Sequence, residues 1–288
     1  PPPPTLLFST LPPPPPPSST SRWLGDVYKR QDVGEHENVR LCEPENIAVD
    51  METGNVFWSR ARRIYAYDAN ADYISQIFDG ESTMGWIGGL SFMNGDLYFT
   101  DQDRHTLNKL SWNGSSYDKS LVAGVENQAK QGYIDNWATT TSFDEASFNR
   151  PGNVTPDPAN NRLFISTGYW SWENWDQKGR IYVVDLDTNT VSELETLRRF
   201  LNELSPRGYV EFGKPGIDSS GNLYIPTTNG GNTVVKVGFN DDGTFDGVKA
   251  SISNDKINNP QSVAVVGGSL YIANMNSYTV DKVGLGAS

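Results

Sequence analysis

The chain has 288 residues, of which 36% are hydrophobic and 11% aromatic, enough to bury a large core. Its formal net charge of −12 would repel a polyanionic duplex or an anionic lipid surface, so the composition argues against a nucleic-acid partner. No apolar run reaches the roughly 18 residues that a membrane helix needs, so no membrane insertion is expected. Cys42 is the only cysteine, which excludes an intrachain disulfide.

Residues 1–31 are predicted to lie outside the folded domain. The proline runs Pro1–Pro4 and Pro12–Pro17 are low-complexity sequence, which is expected to be disordered. The next stretch, SRWLGDVYKRQ (Ser21–Gln31), resembles a translated sequencing adapter. We therefore expect an artefact segment in place of the true N-terminus and one domain over 32–288. The alternative is a polyproline II ligand for SH3- or WW-like domains.

One pattern recurs five times, with starts near residues 44, 87, 150, 214 and 259. Each copy predicts a short apolar strand, a Gly/Asn turn and an aromatic-bearing strand with period-two alternation. The alternating trios are Val56-Phe57-Trp58, Leu97-Tyr98-Phe99, Leu163-Phe164-Ile165, Leu223-Tyr224-Ile225 and Leu270-Tyr271-Ile272. Because both faces carry apolar residues, these strands are predicted to be buried on both sides, as in stacked sheets.

A more polar strand follows most copies, as expected for a half-exposed outer edge. These outer strands are predicted at 73–80, 117–124, 190–197 and 248–255, and the last copy lacks one. The segment NVRL (38–41) is predicted to pair with the C-terminal copy and close a ring. Residues 125–149 are a long connection, and 195–208 are predicted to form a short helix that Pro206 and Gly208 end.

The repeats resemble a known group of proteins. NPQSVAVVGGSLYIANMNSYTVDKV and AGVENQAKQGYIDNWATTTSFDEASFNRPGNV resemble NHL repeats, and NIAVDMETGNVFWS and TLNKLSWNGSS resemble YWTD repeats. The resemblance implies an all-β fold, a β-propeller of four-stranded antiparallel blades. Five blades are visible, and the usual number in such families implies a six-bladed NHL-type propeller with an N-terminal truncation; the alternative is a closed five-bladed ring. There is a more distant likeness to gluconolactonase- and strictosidine-synthase-like six-bladed propellers.

The resemblance to gluconolactonase- and paraoxonase-like propellers implies a divalent cation held in the central channel. Glu45 and Asn153 match the expected ligand positions, and Ca²⁺ suits such oxygen donors. However, Gly216, preceded by Lys214 and Pro215, stands where an acidic ligand is expected. The favoured alternative is that the amides at strand starts cap channel-facing backbone groups; these amides are Asn46, Asn153 and Gln261.

Histidine chemistry is limited, because His36 and His105 are the only histidines. They cannot form the ligand set of a zinc centre, which argues against the zinc amidating lyases of the NHL group. His105 is expected to be an exposed loop residue. Asp101 and Asp103 are expected on solvated loops, with a Ca²⁺ site as the alternative.

An aromatic cluster follows the third hairpin in TGYWSWENWDQ. It is predicted to lie at one rim of the ring and to form a ligand-binding platform. Its members are Tyr169, Trp170, Trp172 and Trp175. The alternative is that this loop packs over an adjacent blade.

The sequence thus favours a non-catalytic, monomeric binding propeller whose rim loops take a protein, peptide or carbohydrate ligand. An extracellular location is favoured, and no cofactor other than Ca²⁺ is expected. One alternative is a Ca²⁺-dependent lactonase- or esterase-like hydrolase with Glu45 and Asn153 in the channel. Another is a structural repeat region of a larger extracellular protein, since a propeller fold does not by itself specify function.

Overall fold

The computed structural model describes residues 34–35, 41, 43–127, 140–148, 150–167, 179–194, 211–228, 231–240 and 243–285. All of them belong to one compact unit, Gln31–Ser288. The predicted helix at 195–208 and the aromatic cluster at 169–175 lie outside the described residues, as do the proline runs. Within the described part, no helix is long and apolar enough to cross a membrane.

The described strands form five antiparallel sheets, or blades. Blade 1 contains β1 (Gly34–Glu35), β2 (Asn46–Val49), β3 (Val56–Arg60), β4 (Arg63–Asp68) and β5 (Tyr73–Asp79). Blade 2 contains β6 (Ile87–Met93), β7 (Asp96–Asp101), β8 (Thr106–Trp112) and β9 (Tyr117–Ala123). Blade 3 contains β10 (Thr141–Ser142), β11 (Pro151–Asp157), β12 (Arg162–Thr167), β13 (Arg180–Asp185) and β14 (Thr190–Glu193). Blade 4 contains β15 (Glu211–Phe212), β16 (Gly216–Ile217), β17 (Leu223–Thr228), β18 (Thr233–Phe239) and β19 (Phe245–Ile252). Blade 5 contains β20 (Pro260–Val266), β21 (Ser269–Asn274) and β22 (Thr279–Gly284).

Tight turns connect the first two strands of each blade, as the Gly/Asn signals predict. In blade 2, Asn94 and Gly95 have φ values of 52° and 85°. Asn161 in blade 3 and Gly221 in blade 4 also have positive φ, at 43° and 78°. Glycine and asparagine adopt this left-handed conformation at low cost, which explains why these residues occupy the turns.

The inner strands of successive blades pack side by side around a channel. β2 packs on β6, β6 on β11, β11 on β16, and β16 and β17 on β20. This arrangement confirms the all-β propeller with five blades. The described residues include no sixth blade, and β20 of blade 5 shows no comparable packing on β2 of blade 1 among them.

The interfaces between blades repeat one packing pattern. In each, the central aromatic of one blade's second strand packs with two apolar residues of the next blade's second strand. The four interfaces combine Phe57 with Leu97 and Phe99, Tyr98 with Leu163 and Ile165, Phe164 with Leu223 and Ile225, and Tyr224 with Leu270 and Ile272. The period-two alternation in the sequence therefore assigns opposite faces of each strand to opposite neighbours, as predicted.

Buried polar groups also join the blades. The Thr100 hydroxyl donates to the Gly152 carbonyl at 2.7 Å, and the Thr155 hydroxyl donates to the Pro215 carbonyl at 2.8 Å. Each hydroxyl satisfies a backbone acceptor of the next blade, which a buried carbonyl requires. These bonds join the innermost part of blade 3 to blade 2 on one side and to blade 4 on the other.

Two loop predictions in blade 2 were wrong. Asp101 is 1% exposed, and its carboxylate accepts hydrogen bonds from the amides of Gly85 and Arg104. It therefore organises a turn instead of decorating a solvated loop. His105 is half-buried, and its Nδ1 accepts a hydrogen bond from the Arg150 amide at 3.0 Å. The imidazole is thus held by the residue that immediately precedes β11 of blade 3.

The predicted ring-closing strand NVRL lies mostly outside the described residues. Leu41 is described; it is in no strand and lines a cavity against blade 1. The predicted outer strands of blades 1 to 4 are present, at β5, β9, β14 and β19.

Candidate functional site: the mouth of the channel

A cavity of about 420 Å³ opens at one mouth of the channel, and residues of all five blades line it. Its polar lining consists of Glu45, Asn46, Gln102, Arg150, Asn153, Ser166, Glu211, Lys214, Thr228, Gln261 and Ser262. The inner strand of each blade begins at this mouth, and the second strand ends there because the two are antiparallel. For example, Ile87 at the start of β6 pairs with Asp101 at the end of β7.

Glycines allow the inner strands to approach closely around the mouth. A Cβ atom on Gly213 would lie 2.1 Å from the carbonyl oxygen of Gln261. A Cβ atom on Gly89 would lie 2.5 Å from the carbonyl oxygen of Gly152. Both distances are far below van der Waals contact, so only glycine permits this backbone spacing.

Side-chain amides at the starts of the inner strands donate hydrogen bonds to backbone carbonyls or to nearby side-chain oxygens. Asn46 donates from Nδ2 to the Ser59 hydroxyl at 2.9 Å and to the Ile87 carbonyl at 3.3 Å. Gln261 donates from Nε2 to the Asn259 side-chain oxygen at 3.0 Å and to the Asn259 carbonyl at 3.4 Å. These two residues cap backbone carbonyls as predicted. Asn153 instead donates to the Ser166 hydroxyl at 3.4 Å.

Glu45 lies on the blade 1 side of the mouth. Its Oε2 accepts a hydrogen bond from the Ala61 amide at 3.1 Å. Partial burial raises the pKa of the Glu45 carboxyl, and this outweighs the hydrogen bonds from Ala61 and Trp86 that lower it. The carboxyl is thus stabilised in its neutral form compared with a carboxyl in water.

Lys214 supplies a cation that crosses the channel. Its Nζ donates to the Leu90 carbonyl of blade 2 at 3.5 Å, although Lys214 itself belongs to blade 4. Backbone hydrogen bonds to blade 5 hold its main chain: Lys214 donates to Gln261 at 2.8 Å and accepts from Val263 at 3.1 Å. Burial lowers the pKa of the Lys214 ammonium. None of the described carboxylates lies within ion-pair distance of it.

Arg150 places a second cation at the mouth. One of its terminal nitrogens lies 3.5 Å from Asp103, which neutralises part of its charge. Burial, aided by the Arg150 charge, lowers the pKa of His105, so this imidazole is stabilised in its neutral form. That form leaves Nδ1 able to accept the Arg150 amide hydrogen.

The structure brings most of the channel residues predicted from sequence to one cavity. Glu45, Asn46, Gly88, Asn153 and Gln261 line it, whereas Gly216 does not. Sequence reasoning missed the polar residues at or just after the ends of second strands. These residues are Gln102, Ser166 and Thr228. They could have been found from sequence, because antiparallel pairing places the end of each second strand beside the start of the inner strand, at the mouth.

A Ca²⁺ site formed by Glu45 and Asn153 is only partly supported by the lining. Both residues offer oxygen atoms to the same cavity, and oxygen is the donor that Ca²⁺ requires. The Lys214 ammonium in that cavity would repel the ion. Among the described residues, no group of three histidine, cysteine or acidic side chains could hold a metal ion.

Comparisons with known proteins identify the fold without assigning a family. No family model matches the chain, and no curated protein matches it. A solved structure of a nidogen/laminin complex matches with a TM-score of 0.57 at 13% identity, covering 84% of this chain and 76% of that one. The hydrazine synthase of Kuenenia stuttgartiensis matches with a TM-score of 0.53 at 13% identity, covering 87% and 85%.

A Bacteroides thetaiotaomicron protein of unknown function also matches, with a TM-score of 0.51 at 14% identity. The match covers 83% of this chain and 58% of that one, so this chain spans less than two thirds of its length. These matches confirm the likeness to propellers at the level of fold.

Proposed function

We propose that this protein is a binding propeller, and that the mouth of its channel takes a carboxylate group of a protein or sugar ligand. The observation that carries the proposal is the position of the Lys214 ammonium. It lies in a cavity of about 420 Å³, where it donates to the Leu90 backbone carbonyl at 3.5 Å. A partly dehydrated cation gains most from an anionic hydrogen-bond acceptor.

The surrounding groups suit recognition of such a ligand. Gln102, Thr228 and Ser262 offer hydrogen-bonding side chains around the cation, and Arg150 adds positive charge. Glu45 and Glu211 lie in the same lining and would repel a ligand with charge spread over its whole surface. The lining therefore favours one carboxylate attached to a neutral polar body, such as an acidic side chain or an acidic sugar.

A protein ligand agrees with one of the structural matches, since that structure is a complex between nidogen and laminin. At 13% identity the match supports only the fold. The match supports a protein ligand only in that a protein of similar fold occurs in a complex with another protein.

The test is isothermal calorimetry in which the protein is titrated with N-acetylglutamate α-amide and, separately, with glucuronate, each of which carries one carboxylate on a neutral polar body. Glucose serves as the uncharged control. Binding of either carboxylate should weaken at least about tenfold in Lys214→Met, because the charge-assisted hydrogen bond is lost. Affinity should also fall as pH rises through the lowered pKa of Lys214, since only the ammonium form binds an anion.

Lys256→Met is the matched control, because Lys256 is exposed and the substitution removes the same charge as Lys214→Met. It should leave the affinities unchanged. Equal weakening in both variants would mean that net charge, and not the channel, attracts the probes. Absence of carboxylate binding by the unsubstituted protein would contradict the proposal.

A second candidate is the Ca²⁺-dependent lactonase- or esterase-like hydrolase. The observation that favours it is that Glu45 and Asn153 line one cavity. A bound cation would polarise a substrate carbonyl there. This candidate predicts that millimolar Ca²⁺ raises the melting temperature of the protein and that the protein hydrolyses members of a lactone panel. Glu45→Gln should abolish both effects.

The aromatic rim cluster is a separate proposal that lies outside the described residues. Replacement of Trp170, Trp172 and Trp175 by alanine should weaken binding of a sugar or peptide if the cluster forms a platform. Unchanged binding of every such ligand would remove the platform hypothesis and leave the channel proposal intact.

A further inference from the structure

Trp86 is an exposed tryptophan beside the start of the inner strand of blade 2. It immediately precedes β6, and it is 45% exposed although both of its sequence neighbours, Gly85 and Ile87, are buried. The chain therefore turns this one large side chain outward at the end of the channel where the inner strands begin.

Hydrogen bonds hold the backbone around Trp86. The Gly85 amide donates to the Asp101 carboxylate at 3.0 Å, and the Trp86 amide donates to the Asp103 carboxylate at 3.2 Å. The Trp86 carbonyl accepts from the Gln102 amide at 2.9 Å. A Cβ atom on Gly85 would lie 2.6 Å from the Asp101 carboxylate, so this close approach requires glycine. A side chain presented from a fixed backbone loses less entropy when a ligand binds to it.

The indole ring is held at the edge of the channel-mouth cavity. Its N–H can only donate, and it forms a hydrogen bond with the Glu45 carboxylate. Glu45 and Gln102 both line the cavity, and they bond to the ring and to the backbone of Trp86 respectively. The ring therefore stands next to the cavity without belonging to its lining.

The faces of the Trp86 ring differ from those of the other described tryptophans. Trp58 stacks on Tyr65 at 5.8 Å, and the Trp112 ring centroid lies 5.0 Å from that of Tyr117. None of the ring contacts within the described part of the chain involves Trp86. An exposed indole whose N–H is already bonded offers its apolar face to a ligand.

The cavity beside this ring contains acceptors for hydroxyl groups as well as a cation. Glu45 and Glu211 line it, and carboxylates that repel a second anion accept hydrogen bonds from neutral hydroxyls. A pyranose ring that carries one carboxylate combines an anion for Lys214, several hydroxyl donors and an apolar C–H face. An acidic side chain of a peptide supplies the anion without the hydroxyls or the C–H face.

We propose that the ligand of the channel mouth is an acidic sugar and that its ring packs against Trp86. This inference rests on the proposed function, because it takes carboxylate binding at Lys214 as its premise, and it narrows the ligand class to sugar acids. Lys214 attracts the charge, whereas Trp86 selects for the ring. The two contributions can be measured separately, since only the first requires a negative charge.

The first test compares two carboxylates in Trp86→Leu by isothermal calorimetry. Affinity for glucuronate should fall about tenfold, as expected when an aromatic contact residue is truncated, while affinity for N-acetylglutamate α-amide should stay nearly unchanged. Trp86→Phe keeps an aromatic face and should lose less affinity for glucuronate than Trp86→Leu.

Trp112→Leu is the matched control. Trp112 is 55% exposed on the same blade, but it ends β8, whose first residue, Thr106, pairs with Asp101 at the mouth. Trp112 therefore lies at the opposite end of the blade, and its substitution should change neither affinity.

A second test needs no variant. The unsubstituted protein is oxidised with N-bromosuccinimide, and the oxidation of each tryptophan is followed by peptide mass spectrometry. Glucuronate should protect Trp86 but not Trp112. Glucose should also protect Trp86, at higher concentration, because packing against the ring does not require a charge.

The outcomes separate this inference from the proposed function. If both carboxylates bind but Trp86→Leu weakens neither, or weakens both equally, the sugar inference is overturned and the carboxylate site stands. If neither carboxylate binds, the proposed function fails, and oxidation in the presence of glucose then decides the role of Trp86. Protection by glucose would support a sugar-binding ring, and absence of protection would overturn it.

Discussion

Arg162 and Asp157 form a buried ion pair whose disruption should be among the most destabilising single changes in the protein. Their side chains are 5% and 3% exposed, and Arg162 Nε donates to Asp157 Oδ2 at 2.7 Å. The guanidinium also donates to the Gly243 carbonyl of blade 4 at 2.8 Å and lies 4.2 Å from the ring centroid of Phe239. It therefore joins blade 3 to blade 4 through a charge, a hydrogen bond and a ring contact.

Arg162→Leu would leave the Asp157 carboxylate buried without its cation. Loss of one partner of a buried pair typically costs about 3–5 kcal/mol. The contact with Phe239 contributes part of this sum, because cation–π contacts are worth about 0.5–2 kcal/mol. With an m-value of about 3 kcal/mol/M in urea, the unfolding midpoint should fall by about 1–1.7 M.

Urea unfolding followed by circular dichroism and tryptophan fluorescence measures this change. Glu81→Gln is the control: Glu81 pairs with Arg63 at 2.7 Å but is 60% exposed, and loss of such surface pairs costs at most about 1 kcal/mol. The double variant Arg162→Leu, Asp157→Leu should be more stable than Arg162→Leu alone, since it buries no unpaired charge. A loss below about 1 kcal/mol for Arg162→Leu, or simple additivity in the double variant, would refute the reasoning.

Three further predictions concern backbone approach and titration. Gly89→Ala should destabilise the fold by about 1–3 kcal/mol, because its Cβ would overlap the backbone of blade 3; Gly284→Ala, which meets nothing within 4 Å, should be neutral in the same urea assay. The pKa of His105 is lowered in the folded protein, so its imidazole binds a proton more readily in the unfolded chain, and stability should fall as pH drops below about 6.5. The urea midpoint should therefore be lower at pH 5.5 than at pH 7, and His105→Gln should reduce that difference. An unchanged difference in His105→Gln would contradict this prediction. Burial raises the pKa of Tyr182 to about 12, so stability should fall as pH rises above about 10; in Tyr182→Phe that loss should be smaller, and ultraviolet titration should show one late-ionising tyrosine fewer.

The blade faces could be predicted from sequence because they depend on local alternation. Phe57 and Trp58 point to opposite faces in any strand, and the five copies share that alternation. The turns could also be predicted, because the positive φ of Asn94 and Gly95 is a local requirement. These features need no knowledge of how the blades are arranged.

The contents of the channel could not be predicted in the same way. Lys214 was expected only to replace an acidic ligand, whereas it reaches blade 2 from blade 4. Asp101 was expected in solvent, but the backbone of the turn at Gly85 folds over it. Both outcomes depend on contacts between residues far apart in sequence, and they are fixed only when the inner strands pack.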